Sequence, residues 1–142
     1  MTSRRVLVVV LAVALAGAVA YLRDPPWLIS VDSGLAGWET APDGTRYRWM
    51  GGHGSFFVPS HAATLTLPVR TTFPGPTDRP QVLTISVDDR TRARIHLSDT
   101  EWHLVSVPLD AATSRRVRRI DVRVDRVRPG NRGVQLGEIK LR

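Results

Sequence analysis

The stretch that decides the fold is Val117–Leu141, which reads VRRIDVRVDRVRPGNRGVQLGEIKL. Apolar and charged residues alternate along its first half. The apolar positions are Ile120, Val122 and Val124, and the charged ones are Arg119, Asp121, Arg123 and Asp125. A period of two residues is typical of a strand with one buried and one solvated face. A turn, Arg-Pro-Gly-Asn at 128–131, separates this strand from the next one. The stretch therefore predicts the closing pair of strands of a β-sandwich.

The second strand of this pair changes parity partway along. Val134 and Leu136 would face one way, whereas Ile139 and Leu141 fall on the opposite parity. A bulge inserts one extra residue into a strand, and glycine is often found at such irregularities. We therefore expect a bulge at Gly137 that turns all four apolar residues to one face.

The basic character of the chain does not indicate nucleic-acid binding. The formal charge is +7, with 20 basic and 13 acidic residues, and Lys140 is the one lysine. Residues 24–142 keep 17 basic and 13 acidic residues, a net charge of +4, which is only mildly basic. Asp121 and Asp125 share the wet face of the arginine-rich strand, so ion pairs across strands are expected there. The chain has no cysteine, which excludes disulfides and thiolate chemistry.

The N-terminus carries a membrane-targeting signal. Val6–Leu22 has 17 residues without a charge and follows Arg4 and Arg5. One interpretation is an uncleaved signal anchor with the arginines inside and the domain outside. Another is a signal peptide cleaved after Ala18-Val19-Ala20. A buried core helix is a third. The first two place the domain beyond the membrane. We expect residues 1–26 to form the anchor or signal peptide with a short linker, and residues 27–142 the β-sandwich domain.

The remaining chain shows strand patterns without helical periodicity. We expect strands at 27–31, 47–50 and 55–58, the last two separated by a loop at Gly51–Gly54. Further strands are expected at 62–69, 82–87, 92–97 and 101–109. Many short strands at such spacing predict a sandwich or jelly roll. The predicted fold class is an all-β, antiparallel β-sandwich of the jelly-roll, galactose-binding-like type, preceded by one hydrophobic N-terminal helix.

Several short motifs occur in an order that resembles a known family. They are Gly37-Trp38-Glu39, Tyr47-Arg48-Trp49, Ala63–Pro68, Leu83–Asp88, Trp102 with Val105–Leu109, and Asn131–Gly137. This order resembles the small galactose-binding-like jelly-roll domains that are appended to bacterial membrane glycosyltransferases and other cell-envelope proteins. The resemblance covers about residues 30–142. It implies a noncatalytic domain on the extracytoplasmic side of a bacterial inner membrane, with a glycan or a membrane glycosyltransferase as its partner.

Aromatic and polar residues in the loops are the candidate ligand-binding residues. Aromatic rings stack on the apolar faces of sugars, and polar neighbours bind the hydroxyls, a mixture that binding pockets need. The candidates are Trp38, Glu39, Tyr47, Arg48, Trp102 and Asn131. Trp49 is a further platform candidate. Large aromatics also dominate small sandwich cores, so Trp49 and Trp102 are expected in the core.

No pattern in the sequence indicates catalysis or a metal site. The acidic residues lie mainly at turns, and no spacing pairs two of them for glycoside hydrolysis. The four histidines lack a metal-binding spacing, and no nucleophile motif occurs. We therefore expect a noncatalytic, membrane-tethered domain without catalytic residues, metal or cofactor, which binds carbohydrate or assists envelope glycan synthesis. The alternative is a structural or protein-interaction domain of the envelope without a small-molecule ligand.

Overall fold

The computed structural model describes residues 3–76 and 78–142. It begins with a helix, α1 (Ser3–Arg23), and a short 3-10 helix at Pro26–Ser30. Nine strands follow. They are β1 (Asp32–Thr40), β2 (Arg46–Pro59), β3 (Thr64–Arg70), β4 (Gln81–Val87), β5 (Arg90–Leu97), β6 (His103–Pro108), β7 (Val117–Val124), β8 (Val134–Gly137) and β9 (Lys140–Leu141).

The helix α1 is longer than the apolar run that predicts it. It has 21 residues, none of them buried, and includes Arg4, Arg5 and Arg23 at its ends. At 1.5 Å per residue it spans about 31 Å, close to the roughly 30 Å hydrocarbon core of a bilayer. It is long and apolar enough to cross a membrane. Because no residue of α1 is buried, the interpretation as a core helix is wrong.

The strands form one antiparallel sheet that curls over itself. The order is β5-β4-β7-β2-β8-β3-β6, with β1 paired to β2 and β9 paired to β3. The 14-residue strand β2 joins the two halves, because residues 47–50 pair with β8 and residues 53–59 pair with β7. The loop predicted at Gly51–Gly54 is therefore wrong. Glycines let β2 continue there, since neighbouring side chains occupy the space that a Cβ would need at Gly51 and Gly54.

The two halves of the sheet enclose a common apolar core. Alternate residues of each strand point inward, as the period of two predicts. The fully buried side chains include Leu65, Leu67, Val69, Leu83, Ile85, Val107, Ile120, Val122 and Val134. Burial of each is worth about 1.5–3 kcal/mol relative to exposure. The prediction of an all-β sandwich preceded by one apolar helix is confirmed.

Two tight turns have the backbone conformation that their residues favour. Asp88 and Asp89 join β4 to β5 with φ of 48° and 66°, as a two-residue hairpin turn requires. Gly130 and Asn131 have φ of 83° and 58° in the turn predicted at 128–131. Asparagine tolerates the left-handed region better than most residues. The turn therefore places Asn131 at the end of the sheet.

One local prediction is wrong, and another is confirmed only in part. Residues 27–31 are not a strand, since Pro26–Ser30 form a 3-10 helix, and a proline at its start presets the required φ. The bulge after β8 is confirmed, because the register against β3 shifts by one residue between Leu136 and Lys140. However, Ile139 and Leu141 are each 38% exposed, because they lie at the rim of the sandwich rather than over its core.

Candidate functional site

The outer face of one half of the sheet carries a row of aromatic and polar side chains. In β2, Tyr47 and Trp49 alternate with the buried Met50 and therefore point outward. Trp49 pairs with Gln135 of β8, and Gln135 pairs with Arg70 of β3. Residues directly opposite in paired strands share a face. The row therefore runs across three neighbouring strands on the side away from the core.

At one end of this row lies a cavity of about 430 Å³, which we call the Trp49 pocket. Its lining includes the side chains of Glu39, Trp49, Asn131 and Arg132 and the backbone of Gly51. The volume falls within the range of roughly 300–1,000 Å³ typical of small-molecule sites. A carboxylate, an amide and a guanidinium thus surround one indole ring.

Interactions of Trp49 and Tyr47 with their neighbours define the geometry of the pocket. The guanidinium of Arg132 lies 5.2 Å from the ring centroid of Trp49, within cation–π range. Tyr47 meets Trp49 edge to face at 6.3 Å between ring centroids. Its hydroxyl donates a 2.9 Å hydrogen bond to Glu39 Oε2, and this bond raises the pKa of Tyr47 above its ordinary value. Tyr47 therefore stays protonated and holds the carboxylate of Glu39 at the pocket.

Asn131 reaches the pocket because Gly51 has no side chain. A Cβ at position 51 would lie 2.5 Å from Asn131 Cγ and 2.6 Å from its Nδ2. The amide therefore occupies the space directly beside the β2 backbone. It is exposed to solvent on its other side.

The row continues from the pocket toward β6. Arg70 donates from Nε at 2.8 Å and from Nη2 at 2.6 Å to Gln135 Oε1. The guanidinium of Arg70 lies 4.7 Å from the ring centroid of Trp102. Gly137 lets Pro68 and Trp102 pack closely against β8, since a Cβ there would lie 2.8 Å from Pro68 Cβ and 3.6 Å from Trp102 Cζ3. An extended ligand that starts in the Trp49 pocket and runs across the strands from β2 toward β6 would next contact Arg70 and Trp102.

Two predicted residues lie on the opposite face. Trp38 pairs with Arg48, and the guanidinium of Arg48 is 5.1 Å from the Trp38 ring centroid. Arg48 Nη2 also forms a 2.6 Å ion pair with Asp32. Both residues line a second cavity, of about 370 Å³, whose apolar wall includes Phe56 and Leu136.

The structure thus divides the six predicted residues. Glu39, Tyr47 and Asn131 belong to or adjoin the Trp49 pocket, Trp102 lies farther along the same face, and Trp38 and Arg48 form the second group. Their role in ligand binding remains a prediction. The expectation that Trp49 and Trp102 are core residues is wrong, because both are only half-buried beside arginines.

Sequence reasoning missed the arginines and the glutamine of the row. Arg70, Arg132 and Gln135 each contribute to the face described above. Gln135 lies between two apolar residues of the closing strand, so alternation alone places it on the outer face. For Arg70 and Arg132, no local pattern distinguishes them from the other arginines, because their positions depend on the pairing of distant strands.

The arginine-rich strand β7 has the ion pairs expected of it. Asp121 accepts hydrogen bonds from Arg119 Nε at 2.8 Å and pairs with His53 Nε2 at 3.0 Å. Burial would raise the pKa of Asp121, but the hydrogen bonds with His53 and Arg119 outweigh it and hold the pKa below its ordinary value. The wet face of this strand is therefore largely neutralised.

Comparison with known proteins shows a shared fold. No protein-family model matches the chain, and no curated protein matches it. Among solved structures, the C-terminal domain of EclA, described as a sugar-binding protein, superposes with a TM-score of 0.50 at 15% identity, covering 74% of this chain and 89% of that one. A family 6 carbohydrate-binding module superposes with a TM-score of 0.46 at 13% identity, covering 78% and 85%. A family two carbohydrate esterase from Cellvibrio japonicus gives 0.46 at 15% identity, covering 78% and 30%. The comparison with the EclA domain thus supports a β-sandwich fold for the residues beyond α1.

Proposed function

We propose that this chain is a noncatalytic carbohydrate-binding domain that α1 holds at a membrane. The observation that carries the proposal is the Trp49 pocket, where an aromatic wall meets three different polar side chains on the open face of the sheet. Sugars present an apolar ring face and a rim of hydroxyls, so a site for them combines an aromatic surface with well-placed donors and acceptors.

The polar groups of the site have hydrogen-bonding capacity left for a ligand. A guanidinium has five N–H donors, and Arg70 uses two of them on Gln135. The Asn131 amide offers a donor and an acceptor, and Glu39 Oε1 offers a further acceptor. Donors and acceptors thus alternate along the face, which suits hydroxyl groups because each of them both donates and accepts.

The membrane part of the proposal is supported by α1 and its junction with the domain. Arg4 and Arg5 lie at the start of α1, before its apolar part, and by the positive-inside rule they support a sandwich on the extracytoplasmic side of a bacterial inner membrane. The loop before β7 contacts the end of the helix, because Arg115 Nε lies 2.7 Å from the carboxylate of Asp24. We favour a retained anchor over cleavage after Ala20. The intact mass of the protein extracted from membranes distinguishes the two, because a cleaved chain would lack residues 1–20.

The binding experiment uses the full chain in phosphatidylcholine nanodiscs, because alkyl-glycoside detergents would compete as sugars. A glycan array identifies a ligand, and calorimetry then measures its affinity for two variants. Asn131→Gly keeps a residue that tolerates the left-handed turn but removes the amide. Trp38→Ala removes an aromatic residue from the opposite face. We expect Asn131→Gly to weaken binding about tenfold, equivalent to about 1.4 kcal/mol, while Trp38→Ala leaves it unchanged.

Two other results would contradict this assignment. If Trp38→Ala abolishes binding and Asn131→Gly does not, the ligand occupies the second cavity. If no envelope glycan binds, the alternative role as a protein-interaction domain gains support. Leu104, which is 70% exposed on the edge strand β6, favours that alternative. Crosslinking in intact membranes tests it, and would also reveal whether a membrane glycosyltransferase is the partner.

A further inference from the structure

A third cavity, separate from the two described above and lined mainly by polar residues, lies at the end of the sandwich that carries α1. It has a volume of about 550 Å³ and lies between the turn at 88–89, the loop at 111–115 and the start of β7. We call it the arginine cavity because five arginines line it. They are Arg90, Arg92, Arg115, Arg118 and Arg119.

Three of these arginines are neutralised by aspartates. Arg115 binds Asp24, Arg118 binds Asp88, and Arg119 binds Asp89 and Asp121. Asp88 and Asp89 themselves line the cavity, but both are engaged in these pairs. Within the described residues, no carboxylate lies in ion-pair range of the other two arginines, Arg90 and Arg92. The excess positive charge of the cavity is therefore concentrated on β5.

Two buried donors of the cavity lack acceptors in the described part of the chain. Arg118 has a side chain only 5% exposed, and its Nη1 donates to Asp88 at 3.1 Å. Its Nε is buried without a hydrogen-bond partner, and so is Nε of Arg92. A buried donor left unpaired costs about 1–3 kcal/mol, and more when the group is charged. Together with the unpaired charges of Arg90 and Arg92, these donors favour an anion with several oxygen atoms as the occupant of the cavity.

The position of the cavity relative to α1 makes a lipid headgroup one source of such an anion. Arg115 Nε lies 2.7 Å from both carboxylate oxygens of Asp24, which is the residue directly after the helix. Leu28 of the 3-10 helix forms part of the cavity wall. If α1 spans a membrane as proposed above, the cavity lies within a few residues of the point where the helix leaves the bilayer, where lipid phosphates are concentrated.

We infer that the arginine cavity binds a phosphate group, from a lipid headgroup or from a soluble phosphate ester, with Arg90, Arg92 and Arg118 as its principal ligands. A planar guanidinium donates two parallel hydrogen bonds to phosphate, and such charge-assisted bonds are stronger than neutral ones. This site is separate from the Trp49 pocket and does not depend on sugar binding.

The test uses the full chain in phosphatidylcholine nanodiscs and two double variants. Arg90→Gln with Arg92→Gln removes the unpaired charges of the cavity. The control, Arg94→Gln with Arg123→Gln, removes two exposed arginines from the outer faces of β5 and β7. Both variants change the net charge equally. Their melting temperatures without ligand check that both fold.

Glycerol 1-phosphate is titrated by calorimetry, and retained phosphatidylglycerol is counted by native mass spectrometry after transfer to mixed nanodiscs. We expect the cavity variant to lose about tenfold in affinity or retained lipid and the control to match the parent chain. Binding of glycerol 1-phosphate without lipid retention assigns the cavity to a soluble ester, and lipid retention assigns it to the membrane. Equal losses in both variants, or no binding of either probe, would overturn the inference.

Discussion

A single methyl group on β2 should separate the function of the Trp49 pocket from its folding. In Gly51→Ala the new Cβ would lie 2.5 Å from Asn131 Cγ and 2.6 Å from Nδ2, so the amide must leave the pocket. Gly51 does not have a positive φ in the structure, so alanine fits its backbone. The neighbouring change Gly52→Ala is the matched control, because its Cβ would meet only Val127 Cγ2 at 3.4 Å.

The two variants should differ in affinity but hardly in stability. Replacing glycine by alanine within a strand stabilises it by roughly 0.5–1 kcal/mol. Moving the exposed side chain of Asn131 costs a similar amount, so the free energy of unfolding of Gly51→Ala should stay within about 1 kcal/mol of the parent value. One lost hydrogen bond to a ligand is worth about 0.5–1.5 kcal/mol, and crowding of the pocket adds to it. We therefore expect about a tenfold loss of glycan affinity.

Calorimetry with the glycan found on the array, together with thermal unfolding of both variants, measures these quantities. Gly52→Ala should bind like the parent chain. If Gly51→Ala keeps full affinity, the Trp49 pocket is not the binding site. If Gly51→Ala instead unfolds at a much lower temperature, the assumption that Asn131 yields easily is wrong.

Three further predictions concern stability and the junction with α1. Asp121→Asn should lower the free energy of unfolding at pH 7 by about 1.5–3 kcal/mol, because it breaks charged hydrogen bonds with His53 and Arg119. Because folding lowers the pKa of Asp121, the carboxylate stabilises the fold above pH about 4, and this stabilisation is lost as the pH falls further. Denaturant titrations from pH 7 to 3 should therefore show a smaller fall in the free energy of unfolding for the variant than for the parent chain. Asp24→Asn should expose the junction after Arg23 to trypsin, which gels of timed digests would show. Gly133→Ala should destabilise the fold by about 3 kcal/mol in chemical denaturation, because its Cβ would overlap a backbone oxygen of β2.

Each of these predictions has a clear contrary result. Asp125→Asn, an exposed position directly after β7, is the control for Asp121, and equal losses would show that the buried pairing is unimportant. Unchanged trypsin sensitivity in Asp24→Asn would mean that other contacts hold the junction. Gly130→Ala introduces a strained turn without any steric clash, so a larger loss there than in Gly133→Ala would contradict the packing argument.

The alternation of apolar and polar residues predicted most of the fold, because it shows directly which side chains of a strand are buried. The inward faces at 65–69, 83–87 and 120–122 follow from the period of two. The prediction of a loop at 51–54 is wrong because glycine marks both turns and strand positions that another group approaches closely. Here the side chains of Asn131 and Met50 lie directly beside Gly51 and Gly54, and this contact depends on the folded structure.

The candidate site was predictable only in part, because it is assembled from strands far apart in the sequence. Glu39 and Tyr47 are eight residues apart and were both identified from local composition. Arg70 and Gln135, separated by 65 residues, meet only through sheet pairing. The aromatic residues were recognised, but their exposure was not, because sequence alone cannot tell a tryptophan under a sheet from one beside an arginine.

The ion pair between Asp24 and Arg115 also determines how the domain would carry mechanical load. Along the backbone, tension from α1 would first reach β1, which is paired with β2 at the side of the sheet and can be peeled away one hydrogen bond at a time. The ion pair provides a parallel path, because Arg115 lies two residues before β7, which is paired on both edges. Force between the bilayer and a surface-bound polymer would therefore enter the sandwich at its centre. In this view, the pair would protect β1, which carries Glu39, from distortion while the domain is under strain.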